Sequence, residues 1–86
     1  MRVHLPGQLR SYTAGRADVT AEGRTLNEVL ADLERQFAGL RFRVLDEQGR
    51  VRRHIVFFVG EDRQDDLDAV IPEGRAVQIV AALSGG

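Results

Sequence analysis

The sequence contains no cysteine and no lysine, and both absences exclude whole classes of chemistry. Without cysteine the chain can form no disulfide, no thiolate nucleophile and no cysteine-ligated metal site. All 12 basic residues are arginine, so the chain has no Schiff-base lysine and no lysine side chain that could accept an acyl group.

Long apolar runs are also missing, so no segment is predicted to span a membrane. Near the N-terminus Val3 and Leu5 alternate with polar residues, which differs from the continuous apolar core of a signal peptide. We therefore expect a cytoplasmic protein with no membrane partner. The formal net charge of −1 argues against a nucleic-acid partner held by bulk positive charge.

The length of 86 residues allows one small domain. A composition of 43% hydrophobic and 29% charged residues is typical of a soluble globular protein. A chain of this size buries a modest core and has no room for a deep pocket.

The clearest predicted element is an amphipathic helix that begins near Thr25. Thr25 and Glu28 form the capping-box pattern T-x-x-E directly ahead of an apolar stripe. The members of the stripe, at helical spacing, are Leu26, Val29, Leu30, Leu33 and Phe37. Gly39 follows the stripe, as glycine often follows a helix, and the apolar face is expected to pack on a sheet.

Strand patterns flank this helix on both sides. Residues 1–9 carry Val3 and Leu5 at strand spacing before the interruption at Pro6-Gly7, and residues 17–21 alternate around Val19. Together they predict a hairpin with a turn at 11–16. Residues 54–59, HIVFFV, are apolar on both faces and predict a central strand. Residues 77–83 predict the last strand.

The segment between the long helix and the central strand is less uniform. Residues 40–45, LRFRVL, fit either a strand or a short helix, and residues 46–49 predict a turn. Beyond the central strand, residues 63–68 are polar and acidic and predict a surface loop, and residues 71–74 predict a turn.

The order strand, strand, helix, strand, strand predicts an α+β fold of the β-grasp, or ubiquitin-like, type. Such a fold has a mixed sheet of four to five strands with one main helix packed across one face. We expect residues 1–83 to form this domain and residues 84–86 to form a flexible Ser-Gly-Gly tail.

Gly85 and Gly86 close the sequence and are its sharpest functional signal. Three residues beyond the last strand reach roughly 10 Å when extended. Glycine has no Cβ, so such a tail can thread a narrow channel in a partner enzyme and present a terminal carboxylate as the reactive group. A frayed tail or a truncated chain gives the same pattern.

Two other features are candidates for partner contact. Phe57 and Phe58 are adjacent in a predicted strand and point to opposite faces, so one is expected in the core beneath the helix. We take Phe58 as the candidate partner-binding residue; the alternative is that a loop covers the outer face. Arg50, Arg52 and Arg53 form a basic cluster that either meets an acidic partner surface or is solvated.

The remaining polar residues indicate no active site. His4 and His54 lack a metal-ligand spacing. The acidic run at 62–68 lacks the glycine and terminal glutamate of a calcium loop, and the hydroxyls at 11–13 have no nearby base. We therefore expect no bound cofactor and no metal, and a protein that is acted upon and is not an enzyme.

Together, five features resemble the ThiS/MoaD family of ubiquitin-like sulfur carrier proteins. They are the small size, the element order, the capped Leu-rich helix, the HIVFFV segment followed by Gly-Glu-Asp, and a last strand running into Leu83-Ser84-Gly85-Gly86. The resemblance covers the whole chain, and the terminal glycine pair on this fold is its specific part.

The resemblance implies a mechanism and a set of partners. In this family a ubiquitin-activating-type adenylyltransferase uses ATP and magnesium to adenylate the C-terminal carboxylate. A sulfur donor converts the adenylate to a thiocarboxylate, which passes its sulfur to an acceptor synthase. By this resemblance Gly86 becomes the adenylate and the thiocarboxylate, Gly85 supplies the slim neck, and Ser84 and Leu83 contact the partner.

Some residues depart from the family pattern and leave the pathway open among cysteine, thioacid, thiamine and molybdopterin types. Val56 stands where members often have asparagine, and Gly74-Arg75-Ala76 stands where they often have Gly-Asp-Glu. Residues 40–59 look more like the longer carriers for cysteine or siderophore-type thioacid synthesis than the compact thiamine carriers. The alternatives are a protein modifier conjugated through Gly86 and the small subunit of a molybdopterin synthase.

Overall fold

Strands and helices follow the predicted order in the computed structural model, with three short elements added, namely a 3-10 helix, a second α-helix and a two-residue strand. The structure describes residues 1–81. Its elements are β1 (Arg2–His4), a 3-10 helix (Gly7–Thr13), β2 (Asp18–Thr20), α1 (Leu26–Gln36), α2 (Leu40–Val44), β3 (Ile55–Val59), β4 (Asp62–Arg63) and β5 (Val77–Ala81). The predicted domain boundary at residue 83 and the predicted tail lie outside the described residues.

The five strands form one mixed sheet in the order β2-β1-β5-β3-β4. Strand β1 runs antiparallel to β2 and parallel to β5, so Val3 lies opposite both Val19 and Val77. Strand β3 runs antiparallel to β5 along its whole length, from Ile55 opposite Ala81 onward. The strand predicted as central, β3, is therefore internal, while β5 occupies the middle of the sheet.

Helix α1 begins at the predicted cap. The Oγ1 atom of Thr25 accepts a hydrogen bond from the N–H of Glu28 at 3.2 Å, and Oε1 of Glu28 accepts one from the N–H of Arg24 at 3.0 Å. The reciprocal bond thus reaches the residue before the cap, a small variation on the capping box. The helix ends at Gln36, and Phe37 is its C-cap.

A single hydrophobic core lies between α1 and the sheet. On the helix side, Leu26, Val29, Leu30 and Leu33 are at most 1% exposed, and Phe37 is half-buried at the edge. The sheet contributes alternate residues of its strands, namely Val3, Val19, Ile55, Phe57, Val59, Val77 and Ile79. Since successive strand residues point to opposite faces, the intervening residues form an outer face, and none of those described is buried.

Residues 40–45, which fit either a strand or a helix, form α2 and its C-cap. Leu40 and Val44 lie four residues apart and are both 0% exposed, so the helical spacing buries both side chains. Glu34 of α1 accepts hydrogen bonds from the N–H groups of Gly39 at 2.9 Å and Arg41 at 3.0 Å. This carboxylate caps a helix whose own N-cap residue is a glycine.

The connecting segments differ in detail from expectation. The segment predicted as a turn at 11–16 begins inside the 3-10 helix, which buries Leu9 and Thr13 on one side. Strand β4 overlaps the start of the predicted acidic loop, and its Arg63 pairs with Phe58. Both residues of β4 are exposed, so the sequence shows no apolar alternation that would have predicted this strand. Within residues 1–81, no helix is long and apolar enough to cross a membrane.

Candidate functional site

Strand β5 leads to the C-terminal residues that are predicted to react. It pairs with β1 on one side and with β3 on the other, and its Val77 and Ile79 are each 1% exposed. Ala81, the last described residue, lies opposite Ile55. The sheet therefore fixes the position at which the C-terminal segment starts. The predicted site residues Leu83, Ser84, Gly85 and Gly86 lie outside the described residues.

Phe58 lies on the outer face of the sheet, opposite to the face that packs on α1. Its neighbour Phe57 points into the core and is 1% exposed, whereas Phe58 is half-buried. Beside it, Val56 of β3 lies opposite Val80 of β5, and both valines are half-buried. We call Val56, Phe58 and Val80 the apolar strip.

Polar residues border the apolar strip on both sides. The register places Gln78 of β5 opposite Phe58 of β3 on one side and opposite His4 of β1 on the other. His4 Nδ1 lies 3.1 Å from Oδ1 of Asp18 on the next strand. On the far side, Arg63 of β4 lies opposite Phe58. An apolar centre with a polar rim is the usual arrangement of a protein–protein contact surface.

The two histidines lie in different surroundings. His4 pairs with Asp18 on the sheet, whereas His54 is exposed directly ahead of β3. Among residues 1–81, no group of three or more histidine and acidic side chains is placed to hold a metal ion.

Asp32 is the one carboxylate among residues 1–81 that is buried, at 8% exposed. Its Oδ2 atom accepts hydrogen bonds from the N–H of Glu22 at 3.0 Å and from the side-chain amide of Gln36 at 2.9 Å. Donation by the Glu22 N–H, followed by the contact with the Arg35 guanidinium, lowers the pKa of Asp32 despite its desolvation. The ionised group joins α1 to the segment after β2.

Two further carboxylates serve the local backbone. The N–H groups of Gly39 and Arg41 lower the pKa of Glu34, which keeps the cap of α2 ionised. The N–H of Arg50 has the largest effect in lowering the pKa of Asp46, whose side chain closes the turn after α2. Both groups act as hydrogen-bond acceptors for the fold.

Phe42 is a feature that sequence reasoning missed. Its side chain is 54% exposed on α2. The Arg52 guanidinium lies over its ring, 5.6 Å from the centroid, and Arg52 Nε donates to the Phe42 carbonyl oxygen at 2.7 Å. The only sequence signal for an exposed Phe42 was its position between Arg41 and Arg43, in a segment that fitted either a strand or a helix.

Comparison with known proteins gives consistent results over the whole chain. The sequence model of the ThiS family matches residues 3–86. The sulfur carrier protein CysO of Mycobacterium tuberculosis is 33% identical over 89 residues, which cover 98% of this chain and 96% of that protein.

Two solved structures extend the comparison. A chain in the crystal structure of the Amycolatopsis orientalis BexX/CysO complex has a TM-score of 0.88 at 31% identity, covering 99% of this chain and 98% of that one. SAMP1 of Haloferax volcanii has a TM-score of 0.78 at 23% identity, covering 100% and 98%, and shares the fold.

The mixed sheet with α1 across one face, and a middle strand that leads to the C-terminus, define a ubiquitin-like β-grasp protein. Within that class the chain belongs to the ThiS family. The predicted fold class and the family resemblance are both confirmed.

Proposed function

We propose that this chain is a sulfur carrier that works through a thiocarboxylate at Gly86. The observation that carries the proposal is the match to a protein named as a sulfur carrier, at 33% identity over 98% of this chain. The predicted end of the site, Gly85-Gly86, falls inside the region that the family model matches.

The chemistry requires two steps, both carried out with partner proteins. In a ubiquitin-activating-type adenylyltransferase that uses ATP and Mg²⁺, a carboxylate oxygen of Gly86 attacks the α-phosphorus of ATP and expels pyrophosphate. Sulfide from a sulfur donor then attacks the carbonyl carbon of the acyl adenylate, and AMP leaves. Activation is needed because a carboxylate is a poor electrophile, whereas AMP is a good leaving group.

The composition suits a chain whose terminus becomes an activated acyl group. Thiols and primary amines are the side chains that attack acyl adenylates most readily, and this chain has no cysteine and no lysine. Its side chains therefore offer no thiol or amine that competes with the sulfur donor.

The apolar strip is the proposed docking face for the adenylyltransferase. Its Val80 belongs to β5, one residue before Ala81, so an enzyme seated on Val56, Phe58 and Val80 lies next to the start of the C-terminal segment. Leu83, Ser84 and Gly85 then pass into the enzyme channel. The structurally similar chain from Amycolatopsis orientalis comes from a complex, BexX/CysO.

Among the pathways left open by the sequence, the cysteine type has the most support. The curated relatives are all named CysO, so we propose an acceptor synthase of cysteine formation. The cytoplasmic location expected from the sequence is likewise a proposal. The similarity to SAMP1, at 23% identity, concerns the fold alone and does not favour the modifier alternative.

An ATP–pyrophosphate exchange assay tests the activation step. The purified chain is incubated with the ubiquitin-activating-type adenylyltransferase of the same genome, ATP, Mg²⁺ and labelled pyrophosphate. Exchange should depend on the chain, and deletion of Gly86 should abolish it, while Val70→Ala, at an exposed position away from the apolar strip, should leave it unchanged. Exchange that persists after deletion of Gly86 would contradict the proposal.

A further inference from the structure

Charge is divided unevenly along this chain. Residues 41–53 contain five of the 12 basic residues and two of the 13 acidic ones, a formal charge of +3, so the remainder carries −4. A net charge of −1 therefore conceals a basic segment, and this segment consists of α2, the turn after it and the approach to β3.

Four arginines lie near the exposed Phe42 in the sequence of this segment, and one of them contacts its ring. Arg41, Phe42 and Arg43 are consecutive exposed positions of α2, while Arg53 is exposed ahead of β3. Arg52 lies over the Phe42 ring and is bonded to its carbonyl oxygen, which fixes the approach to β3 against α2. We call Arg41, Phe42, Arg43, Arg52 and Arg53 the basic surface.

Within residues 1–81, most of the charge on the basic surface is not paired with carboxylates; Arg41 is the exception, because its charge helps to lower the pKa of Glu34. None of its four arginines forms an ion pair with a carboxylate within residues 1–81, whereas Arg50 pairs with Asp46. Glu34 and Asp46, which border Phe42, direct their oxygens to backbone N–H groups. An exposed aromatic ring beneath a guanidinium, with unpaired arginines beside it, fits a partner that offers carboxylates and an apolar recess.

Arg53, one member of the basic surface, also lies near the end of β5. Ala81 is opposite Ile55, and Arg53 is two residues before Ile55 in the chain. A protein that receives the C-terminal segment therefore passes close to this surface, on the side of the molecule where β3 begins.

We propose that the basic surface docks on an acidic surface of the adenylyltransferase, with Phe42 in an apolar recess. This inference rests on the proposed function and adds a second contact to the apolar strip. In this arrangement the arginines form the rim of the contact around Phe42. Their main effect is therefore on the rate of association and on its salt dependence.

Two double variants test the proposal by steady-state adenylation of the chain. Arg43→Glu with Arg53→Glu reverses two charges of the basic surface, and Arg24→Glu with Arg75→Glu makes the same change of net charge at exposed positions elsewhere. The first variant should raise KM for the chain about tenfold at low salt and flatten its dependence on salt, with kcat unchanged. The second should stay within about twofold of the original chain.

Phe42→Ala provides an independent measurement because it leaves the charge unchanged. Its KM should rise while its circular dichroism spectrum and melting temperature stay close to those of the original chain. Equal KM values for both double variants would contradict docking through the basic surface. So would charge-reversal variants that change single-stranded RNA binding or self-association but leave KM unchanged. A chain that is not adenylated at all would instead refute the proposed function.

Discussion

The carboxylate of Asp32 in α1 accepts a 3.0 Å hydrogen bond from the backbone N–H of Glu22, and this bond joins the helix to the segment that follows β2. The bond lowers the pKa of Asp32 in the folded chain, relative to the ordinary value of 3.8. The ionised group therefore stabilises the fold above pH 3.8, and that contribution is lost as the pH falls through the lower, folded pKa.

This relationship predicts a pH-dependent effect of Asp32→Asn. The variant should unfold at a lower urea concentration than the original chain at neutral pH, and the difference should shrink as the solution is acidified below the ordinary carboxyl pKa. Urea denaturation across a pH series measures it. Asp62→Asn, at an exposed position of β4, serves as the control and should show no such trend. A constant difference across the series for Asp32→Asn would show that the carboxylate charge is not what matters.

Gly23 is predicted to tolerate alanine much less well than Gly49. A Cβ at Gly23 would lie 2.6 Å from the backbone nitrogen of Val29, while a Cβ at Gly49 meets no atom within 4 Å. Both glycines have positive φ, 156° at Gly23 and 80° at Gly49, and Gly49→Ala should cost only the strain of its own backbone conformation, about 1–2 kcal/mol. Gly23→Ala should lose a further ~1–3 kcal/mol of unfolding free energy. Equal losses in chemical denaturation would refute the close approach.

The cap of α1 gives a third prediction. Replacement of Thr25 by alanine removes the acceptor for the Glu28 N–H and should cost about 1 kcal/mol of unfolding free energy. Hydrogen exchange of the Glu28 amide should quicken. Ser11→Ala, at an exposed position of the 3-10 helix, is the control, and a matching loss of stability there would remove the special role of the cap.

The apolar strip leads to a prediction about partner binding. Phe58→Ala should raise KM for the chain in adenylation about tenfold while kcat stays unchanged, because the proposed contact with the enzyme lies away from the reacting atoms. Val70→Ala removes an apolar side chain that is 66% exposed at a different place and should leave KM unchanged. If the two variants behave alike, the outer face of the sheet is not the docking face.

The main elements of the fold could be predicted because each carries a local signal. The cap at Thr25 and the spacing of the Leu-rich stripe are contained within α1, and they set both its start and its buried face. The strands β3 and β5 each bury alternate apolar residues of a short segment. The family resemblance added the function, which no pattern of side chains within the domain specifies.

The conformation of α2 could not be predicted, because its sequence satisfies two periods. Leu40, Phe42 and Val44 alternate as in a strand, while Leu40 and Val44 alone satisfy a helix. What stabilises the helix is the carboxylate of Glu34, which caps it from α1. Phe42 is consequently exposed, and the basic surface emerges only in three dimensions.

Intact mass spectrometry of the reconstituted chain tests the central proposal most directly. The chain is incubated with its adenylyltransferase, ATP, Mg²⁺ and sulfide, alongside the variant that lacks Gly86. A thiocarboxylate at Gly86 predicts a mass increase that equals the exchange of one oxygen for sulfur, assigned to Gly86 by fragmentation and absent from the variant. An unchanged mass after adenylation, or adducts with lysines of other proteins in a cell extract as the main product, would contradict it.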